Sequence, residues 1–536
     1  MELNKNGFIG RFLYMSITGM LILNCLPPLD IAYGETLRQW KFFYFTTLPL
    51  GLIVVTLAMT NDTLQKKRFH ESILLAFSTT GGIEALWGIF QLLSIFPSYS
   101  NTYKLTGSFF NPGPYACYLS MCLPACMDIG KSYSKYIVSL NRISILLILL
   151  ILPATMSRTG WSSAIISVSC YFLISKSTSF DSLIIKHKAR YFMLGCIGMM
   201  HIFLLGYFTF YSIKNQSMQG RFYLWEIEIR AIADKPSGYG KGKFQIAFAN
   251  AQEKYMKTHK KISQPQITIP HHAFNEYFYV TIEHGIVVTV AALSCTLLYL
   301  ILFYKKKNIG FFCILLSLAI SCFASYPLYF PLFIMSLLLI LCCPIVEYLS
   351  LRSLVSHVAS SLVLCFIFII SYIGGQTKIQ QESACMAWDE KRILYGLGMY
   401  QKAKLYYEQL YEKMKWNDMF LFEYGRILSL CKNYRTSNTI MKELCVRNGD
   451  IAPLLIIADN YAKIGQYKMC EFYLRMAINR LPDRIYPYYK LAKLYSNPNF
   501  KNTNKLKKTL HDVQKIQINI LSPATKQMLQ ELETLK

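Results

Sequence analysis

The chain reads as long apolar runs separated by short charged clusters and then, beyond residue 375, as amphipathic helix to its end. A helix needs ~20 mostly apolar residues to cross the hydrocarbon core of a bilayer. Runs of that kind are expected near 8–26, 41–60, 71–96, 114–129, 143–156, 160–175, 191–212, 274–303, 309–325, 327–346 and 354–373, about eleven spans. The fifth and sixth are short and read alternatively as one broken helix pair. Pro27-Pro28-Leu29-Asp30 follows the first run with no small-residue cleavage pattern, so the run is expected to remain as an uncleaved first helix. The expected fold class is all-α. A polytopic membrane helical bundle covers residues 1–374, with one long loop at about 213–273, and a soluble helical domain covers 375–536.

The charged clusters orient the bundle, because Lys and Arg collect on the cytoplasmic side of membrane helices. With the N-terminus inside, the inner segments carry 16 Lys and Arg, including Lys66-Lys67-Arg68 and Lys305-Lys306-Lys307. The short outer loops carry only Arg38, Lys41, Lys104 and Arg158. An odd number of spans then puts both the 213–273 loop and the C-terminal domain outside. The same distribution accounts for the net charge of +26 without nucleic acid. Of 56 Lys and Arg, 26 follow residue 375 and most others sit between apolar runs, and no helix-turn-helix, zinc-finger or RNA-recognition pattern occurs. None of the 16 Cys falls in a CxxC or Cys/His metal spacing, and Cys117, Cys122 and Cys126 read as packing residues of one helix.

Beyond residue 375 the sequence repeats itself. Tyr400, Tyr434, Tyr467 and Phe500 are spaced by 34, 33 and 33 residues, with Gly398-x-Tyr400-x-x-Ala403 and Gly465-x-Tyr467 around them and Ala477 and Pro482 following. This resembles the tetratricopeptide repeat, a helix-turn-helix unit of 34 residues, in three to four copies over 385–510. Such arrays make concave surfaces for peptides or neighbouring proteins. Binding of a protein partner and a plain helical cap on the membrane domain are the two readings of this array.

Four stretches differ from generic membrane helix. Glu84, Gly88 and Gln91 share one helix face, and a carboxyl inside a span is costly, which makes it a functional candidate. Its plain alternative is a neutral carboxyl bonded to another helix. Thr106-Gly107-Ser108-Phe109-Phe110-Asn111-Pro112-Gly113-Pro114 is turn chemistry leading into the fourth span. Ser157-Arg158 puts an arginine at the outer edge of a short span. The long loop contains Gly220-Arg221-Phe222-Tyr223-Leu224-Trp225, Pro236-Ser237-Gly238-Tyr239-Gly240 and His271-His272-Ala273-Phe274-Asn275-Glu276, with Glu283-His284-Gly285 beyond. Its glycine-rich piece matches neither GxGxxG nor GxxxxGK[ST]. Residues 213–270 carry ten Lys and Arg against four Asp and Glu. A cationic outer loop beside a membrane suits an anionic headgroup or a pyrophosphate.

At these residues the chain resembles the O-antigen ligase superfamily, which spans O-antigen ligases, O-antigen polymerases and bacterial O-oligosaccharyltransferases. The resemblance covers roughly residues 70–300. It rests on Gly107 to Pro112, Ser157-Arg158, Gly220 to Trp225, Pro236 to Gly240, and His272 to Asn275 with Glu283 and Gly285, in family order. The family often has His immediately before the Asn, where this chain has Phe274, so His272 or its neighbour His271 takes that part.

The resemblance implies a multi-pass protein of the bacterial inner membrane, with a cytoplasmic N-terminus and a periplasmic C-terminal domain. It implies transfer of an oligosaccharide from an undecaprenyl-pyrophosphate carrier to an acceptor hydroxyl, without metal or other cofactor. The acceptor is open among lipid A core, a protein Ser or Thr, and a second lipid-linked glycan. The catalytic residues then expected are His272 as base and Arg158 and Arg221 on the leaving pyrophosphate. Gln91, Asn111, Asn275, His271 and Glu84 are expected to bind substrate. The alternatives are a polysaccharide polymerase and a non-enzymatic transporter or scaffold. A transporter should show inverted repeats and several mid-membrane polar residues. Only Glu84 and Gln91 stand out in that way.

Overall fold

The computed structural model describes residues 2–26, 36–60, 62–129, 134–177, 220–258, 268–348, 354–516 and 522–535. Among these residues every regular element is helical, in line with the all-α expectation. The span expected at 191–212 lies outside the described residues, as do the inner-segment cations Lys131, Lys186, Lys188 and Arg190. Two compact units are present, and neither is continuous in sequence. The first comprises residues 1–180, 274–276 and 291–385, and the second 181–273, 277–290 and 386–536.

The first unit contains α1 (Glu2–Cys25), α2 (Leu37–Met59), α3 (Thr63–Leu92), α4 (Pro112–Asp128), α5 (Lys135–Ile151) and α6 (Arg158–Ser177). It also holds most of α10 (Ile286–Lys305), all of α11 (Ile309–Ala324) and α12 (Pro331–Tyr348), and the larger part of α13 (Leu354–Gly396). Among the described residues six helical segments are long and apolar enough to cross a membrane, within 8–25, 37–59, 63–92, 135–155, 286–305 and 358–396. α11 and α12 are shorter apolar helices. α6 has the length for a span, but Arg158, Lys176 and a series of serines make it more polar.

Close helix approach in this unit depends on small residues, the device that packs helices where lipid tails are as apolar as side chains. A Cβ on Gly81 would lie 2.6 Å from that of Cys122, one on Gly82 2.5 Å from Ser144 Oγ, and one on Gly160 against Ala116. These contacts fix α3 against α4 and α5, and α6 against α4. Ser163 and Ser317 link α6 to α11 at 2.7 Å between hydroxyls. Between α2, α12 and α13 lies a crevice of about 530 Å³, lined almost wholly by apolar side chains such as Val54, Ile345 and Ile367. The run expected as one span over 274–303 is interrupted, because Gly285 takes φ +89° between α9 (Glu276–His284) and α10.

In the second unit α7 (residues 220–234) and α8 (Phe244–Thr258) belong to the long loop, and most of α9 follows it. The C-terminal helices are α14 (Tyr400–Met414), α15 (Asp418–Leu430), α16 (Tyr434–Cys445), α17 (Ile451–Lys463), α18 (Tyr467–Arg480), α19 (Ile485–Ser496), α20 (Thr503–Gln514) and α21 (Pro523–Glu533). From α14 to α20 each helix packs on its chain neighbour, as an array of short helical hairpins does. Tyr400, Tyr434 and Tyr467 each open a helix that returns along its predecessor, and Gly398 and Gly465 take the positive φ that the tight connection requires. The long loop shares this unit's core. Ile227, Phe244, Phe248 and Ala273 pack in one buried cluster with Ile451, Leu454, Ala477 and Leu481.

Candidate functional site

In the first unit, the turn that precedes α4 is bound from below by α3. Gln91 is buried, and its Oε1 accepts from Thr106 N (2.9 Å) and Gly107 N (2.8 Å). Its Nε2 donates to Gly107 O (2.9 Å) and Pro97 O (3.1 Å). Glu84 Oε2 accepts from Ser108 N at 3.1 Å, and Tyr115 donates its hydroxyl to Glu84 O at 2.8 Å. A Cβ on Gly88 would meet that tyrosine hydroxyl, which explains why glycine lies between Glu84 and Gln91 on this face. Gly107 turns at φ +58° against the same ring. Asn111 caps α4, its Oδ1 accepting from Gly113 N at 2.8 Å.

A second loop of this unit, residues 324–330 between α11 and α12, gathers three of the expected residues' neighbourhoods. Thr159, next to Arg158 at the start of α6, donates to Ala324 O at 3.2 Å. Phe109 and Phe110, which lead into Asn111, pack on Phe330 with ring centroids 5.0 and 6.0 Å away. Phe274, adjacent to Asn275, meets Tyr326 edge-on at 5.6 Å. Glu276 accepts from Leu328 N at 2.8 Å. Asn111, Arg158 and Asn275, drawn from three distant parts of the sequence, are thus set around one aromatic loop. Asn275 is buried and Arg158 is partly buried.

The second unit holds Arg221, His271 and His272. Two weak sequence motifs interlock here. Tyr239 N donates to Ile282 O (2.7 Å), Gly240 N to Glu283 O (2.9 Å) and Ile286 N to Pro236 O (2.9 Å). A Cβ on Gly238 would lie 2.6 Å from Gly285 N, so only glycine permits the approach. The glycine-rich stretch is therefore a backbone clasp on the end of α9. Glu283 completes it, its Oε1 accepting from Phe244 N at the start of α8 (3.4 Å). Arg221 lies partly buried at the start of α7, and Trp225, one turn on, meets Phe278 of α9 edge-on at 6.3 Å.

His271 is exposed, and Gln245 Nε2 of α8 donates to its Nδ1 at 2.7 Å. His272 is partly buried. Burial, and then the neighbouring His271, push its pKa down to about 4, so its ring is neutral at ordinary pH. Ala273, between the two expected sites in sequence, is buried in the core shared by α7 and α8.

A family model for O-antigen ligase matches residues 143–293. Over that segment the chain is similar to the O-antigen ligase family, whose members are membrane glycosyltransferases. The matched segment takes in Arg158, Arg221, His271, His272 and Asn275, as well as the clasp between Pro236 and Gly285. Glu84, Gln91 and Asn111 precede it. Compared with curated proteins and with solved structures, the chain matches none.

Within the matched segment and its surroundings, several residues matter that pattern reading passed over. Glu276 anchors the 324–330 loop. Gln245 holds His271. Glu228 of α7 is fully buried, and among the described residues neither of its oxygens has a hydrogen-bond partner. It follows Arg221 by seven residues and Trp225 by three, a helical spacing that places all three on one face and that was legible in the sequence. Tyr326-Pro327-Leu328-Tyr329-Phe330-Pro331 was also legible, as an aromatic run between two prolines separating two apolar runs.

Proposed function

We propose that this protein transfers an oligosaccharide from a polyprenyl-pyrophosphate carrier to an acceptor hydroxyl outside the membrane, as an O-antigen ligase or a protein O-oligosaccharyltransferase. The acceptor oxygen forms a bond to the anomeric carbon while the bond from that carbon to the pyrophosphate oxygen breaks. The hydroxyl proton passes to a histidine, and negative charge grows on the departing pyrophosphate.

His272 suits the proton acceptor, since a neutral imidazole is available at every pH above about 4. His271 is the second candidate: its Nδ1 accepts from Gln245, which puts the neutral ring's hydrogen on Nε2, so it takes a proton only once Nδ1 lets go of Gln245. Arg158 and Arg221 suit the leaving group, because a guanidinium can bind two phosphate oxygens at once. Asn275 serves to orient the sugar or the acceptor. In this reading Gln91, Glu84 and Asn111 shape the 106–111 turn and the start of α4 rather than touch the glycan, because their side chains bond to backbone groups of Gly107, Ser108 and Gly113.

The observation that carries the proposal is the set of loops in the first unit, where the chain neighbours of Asn111, Arg158 and Asn275 (Phe110, Thr159, and Phe274 with Glu276) are held against residues 324–330. A scaffold has no use for such an arrangement of polar residues from three separate stretches. The C-terminal array, read as tetratricopeptide-like repeats in the periplasm, favours an enzyme with a large acceptor over a polymerase. It offers a surface that the polymerisation of lipid-linked units does not need.

The test compares a deletion strain with strains carrying wild type, Arg221→Ala or His272→Ala at equal protein abundance. Lipopolysaccharide and total protein are both probed for the glycan. The proposal expects undecaprenyl-linked glycan to accumulate in the deletion strain and in both variants, and the species that loses its sugar identifies the acceptor. Full glycosylation in both variants would remove the transferase reading of this site. A loss of glycan chain length alone, with single units still attached, would instead make the protein a polymerase.

A further inference from the structure

The array and the histidine segment are joined by one helix. At the array side, Arg480 at the end of α18 is buried, with 4% of its surface exposed. Its Nη1 donates to Gly449 O at 3.0 Å and its Nη2 to Asn250 Oδ1 of α8 at 3.3 Å. Glu253, also on α8, stands 3.7 Å away as counter-charge. Gln252 of α8 donates to Arg480 O at 2.7 Å. A buried guanidinium needs such partners, since an unpaired charge in a dry site costs several kcal/mol.

Gly449, between α16 and α17, lies against the first turn of α8. A Cβ there would fall 2.6 Å from Gln245 O and 2.7 Å from Ala249 Cβ. Around these polar contacts, Phe244, Ala247, Phe248 and Ala251 pack with Ile451, Leu454, Ala477 and Leu481. The opposite side of the link is the bond from Gln245 Nε2 to His271 Nδ1. The residue whose backbone is pressed by Gly449 is therefore the one whose side chain holds the histidine segment.

We infer that the C-terminal helical array positions the histidine segment of the outer loop: Arg480 and Gly449 seat α8, and α8 sets His271 and His272 through Gln245. Arg480, Gly449 and Gln245 are positioning residues in this scheme, and none of them touches the reacting atoms. The inference rests on the reading of His272 or His271 as proton acceptor for its catalytic consequence, but not for the mechanical link itself. It gives the array a function inside the chain, whatever else its remaining surface binds.

The test uses the full-length protein in lipid nanodiscs, with hydrogen exchange and transfer kinetics measured on the same samples. Variants are Gly449→Val and Arg480→Ala at the seat, Gln245→Ala at the tether, and Lys254→Ala on an exposed part of α8 as control. Gly449→Val and Arg480→Ala should raise amide exchange over residues 268–276 by about ten-fold, as release from a packed support does. Gln245→Ala should do the same there without loosening α18. Each should lower kcat about ten-fold or more with little change in KM for the lipid-linked donor, because a displaced base weakens the transition state and not ground-state binding. Lys254→Ala should change neither.

Unchanged exchange over 268–276 in Gln245→Ala would by itself overturn the link, as would unchanged exchange there in folded seat variants. Gln245→Ala leaves the array contacts intact, so the first outcome stands even if a seat variant fails to fold. Raised exchange with wild-type transfer would leave the link in place and remove the histidines from the chemistry.

Discussion

Glu276 accepts a hydrogen bond from the backbone N–H of Leu328 at 2.8 Å and thereby ties the residue after Asn275 to the loop between α11 and α12. The carboxyl is buried, so removing it leaves a buried donor without its acceptor, at a cost of about 1–3 kcal/mol. Glu276→Ala is expected to lower the thermal stability of the detergent-solubilised protein by that amount and to reduce glycan transfer. Glu276→Gln keeps an acceptor oxygen in place and should stay close to wild type on both measures. Equal behaviour of the two variants would show that the anchor does not matter.

Tyr115 and Gly88 give a second, separable prediction. Gly88→Ala puts a methyl group where the tyrosine hydroxyl lies, breaking its bond to Glu84 O and pressing on the turn at Gly107. Overpacking of this kind costs about 1–3 kcal/mol. Tyr115→Phe removes the obstructing oxygen. The double variant Gly88→Ala/Tyr115→Phe should therefore recover part of the stability that Gly88→Ala loses, a coupling that a double-mutant cycle in thermal unfolding measures directly. Strict additivity would mean that the two side chains do not compete for the space.

The helical membrane architecture was legible in the sequence because burial in lipid leaves a coarse signal, apolar runs about twenty residues long. The hairpin spacing of the C-terminal helices was legible because Tyr400, Tyr434 and Tyr467 mark the same point of successive units. What was not legible concerns contacts made across long stretches of chain. Gln91 and Glu84 stand out as polar residues in an apolar helix, yet nothing in their spacing shows that their partners are the amides of residues 106–108. The glycines at 238 and 285 form one clasp, and only the fold brings them together. The break at Gly285 was hidden for a related reason: the apolar residues of α9 and α10 read together as one span, and the turn is held by bonds from Ile286 N to Pro236 O and from Tyr239 N to Ile282 O. Arg480 looked like one cation among many in a basic domain. Its burial comes from α8, more than two hundred residues earlier.

His272 predicts a pH dependence with a definite sign. Its pKa is about 4 in the folded protein against an ordinary 6.5, so between these values the unfolded chain binds a proton that the native one does not. Stability therefore falls as pH drops from 6.5 towards 4, and the loss is complete only below the lower value. Thermal unfolding of wild type and His272→Ala across this window should show a shallower slope in the variant. The acid limb of the transfer rate should likewise lie below pH 5, where the ring is protonated. An acid limb near 6.5 would mean that a group other than His272 takes the proton.

Glu228 predicts the opposite slope, and over a window that extends further. Burial raises its pKa from 4.5 to about 8, with neither oxygen partnered to offset the loss of water. Between those values the native protein holds a proton that the unfolded chain has released, so stability falls as pH rises from 4.5 through 8. From 4.5 to 6.5 this trend opposes that of His272, and above 6.5 it is joined only by that of groups raised like it, such as Glu276, whose pKa burial pushes up to about 8. Glu228→Gln removes the ionisation while keeping the shape. It should raise thermal stability at neutral pH by the order of 1–3 kcal/mol and flatten the decline between pH 6.5 and 8. Glu228→Met should do at least as well, since both buried oxygens lack partners and an apolar side chain of similar volume leaves nothing unsatisfied. If both variants are instead less stable than wild type and lose glycan transfer, the carboxyl meets a partner during the reaction. Glu228 would then join Arg221 and Trp225, with which it shares a face of α7, as part of the site.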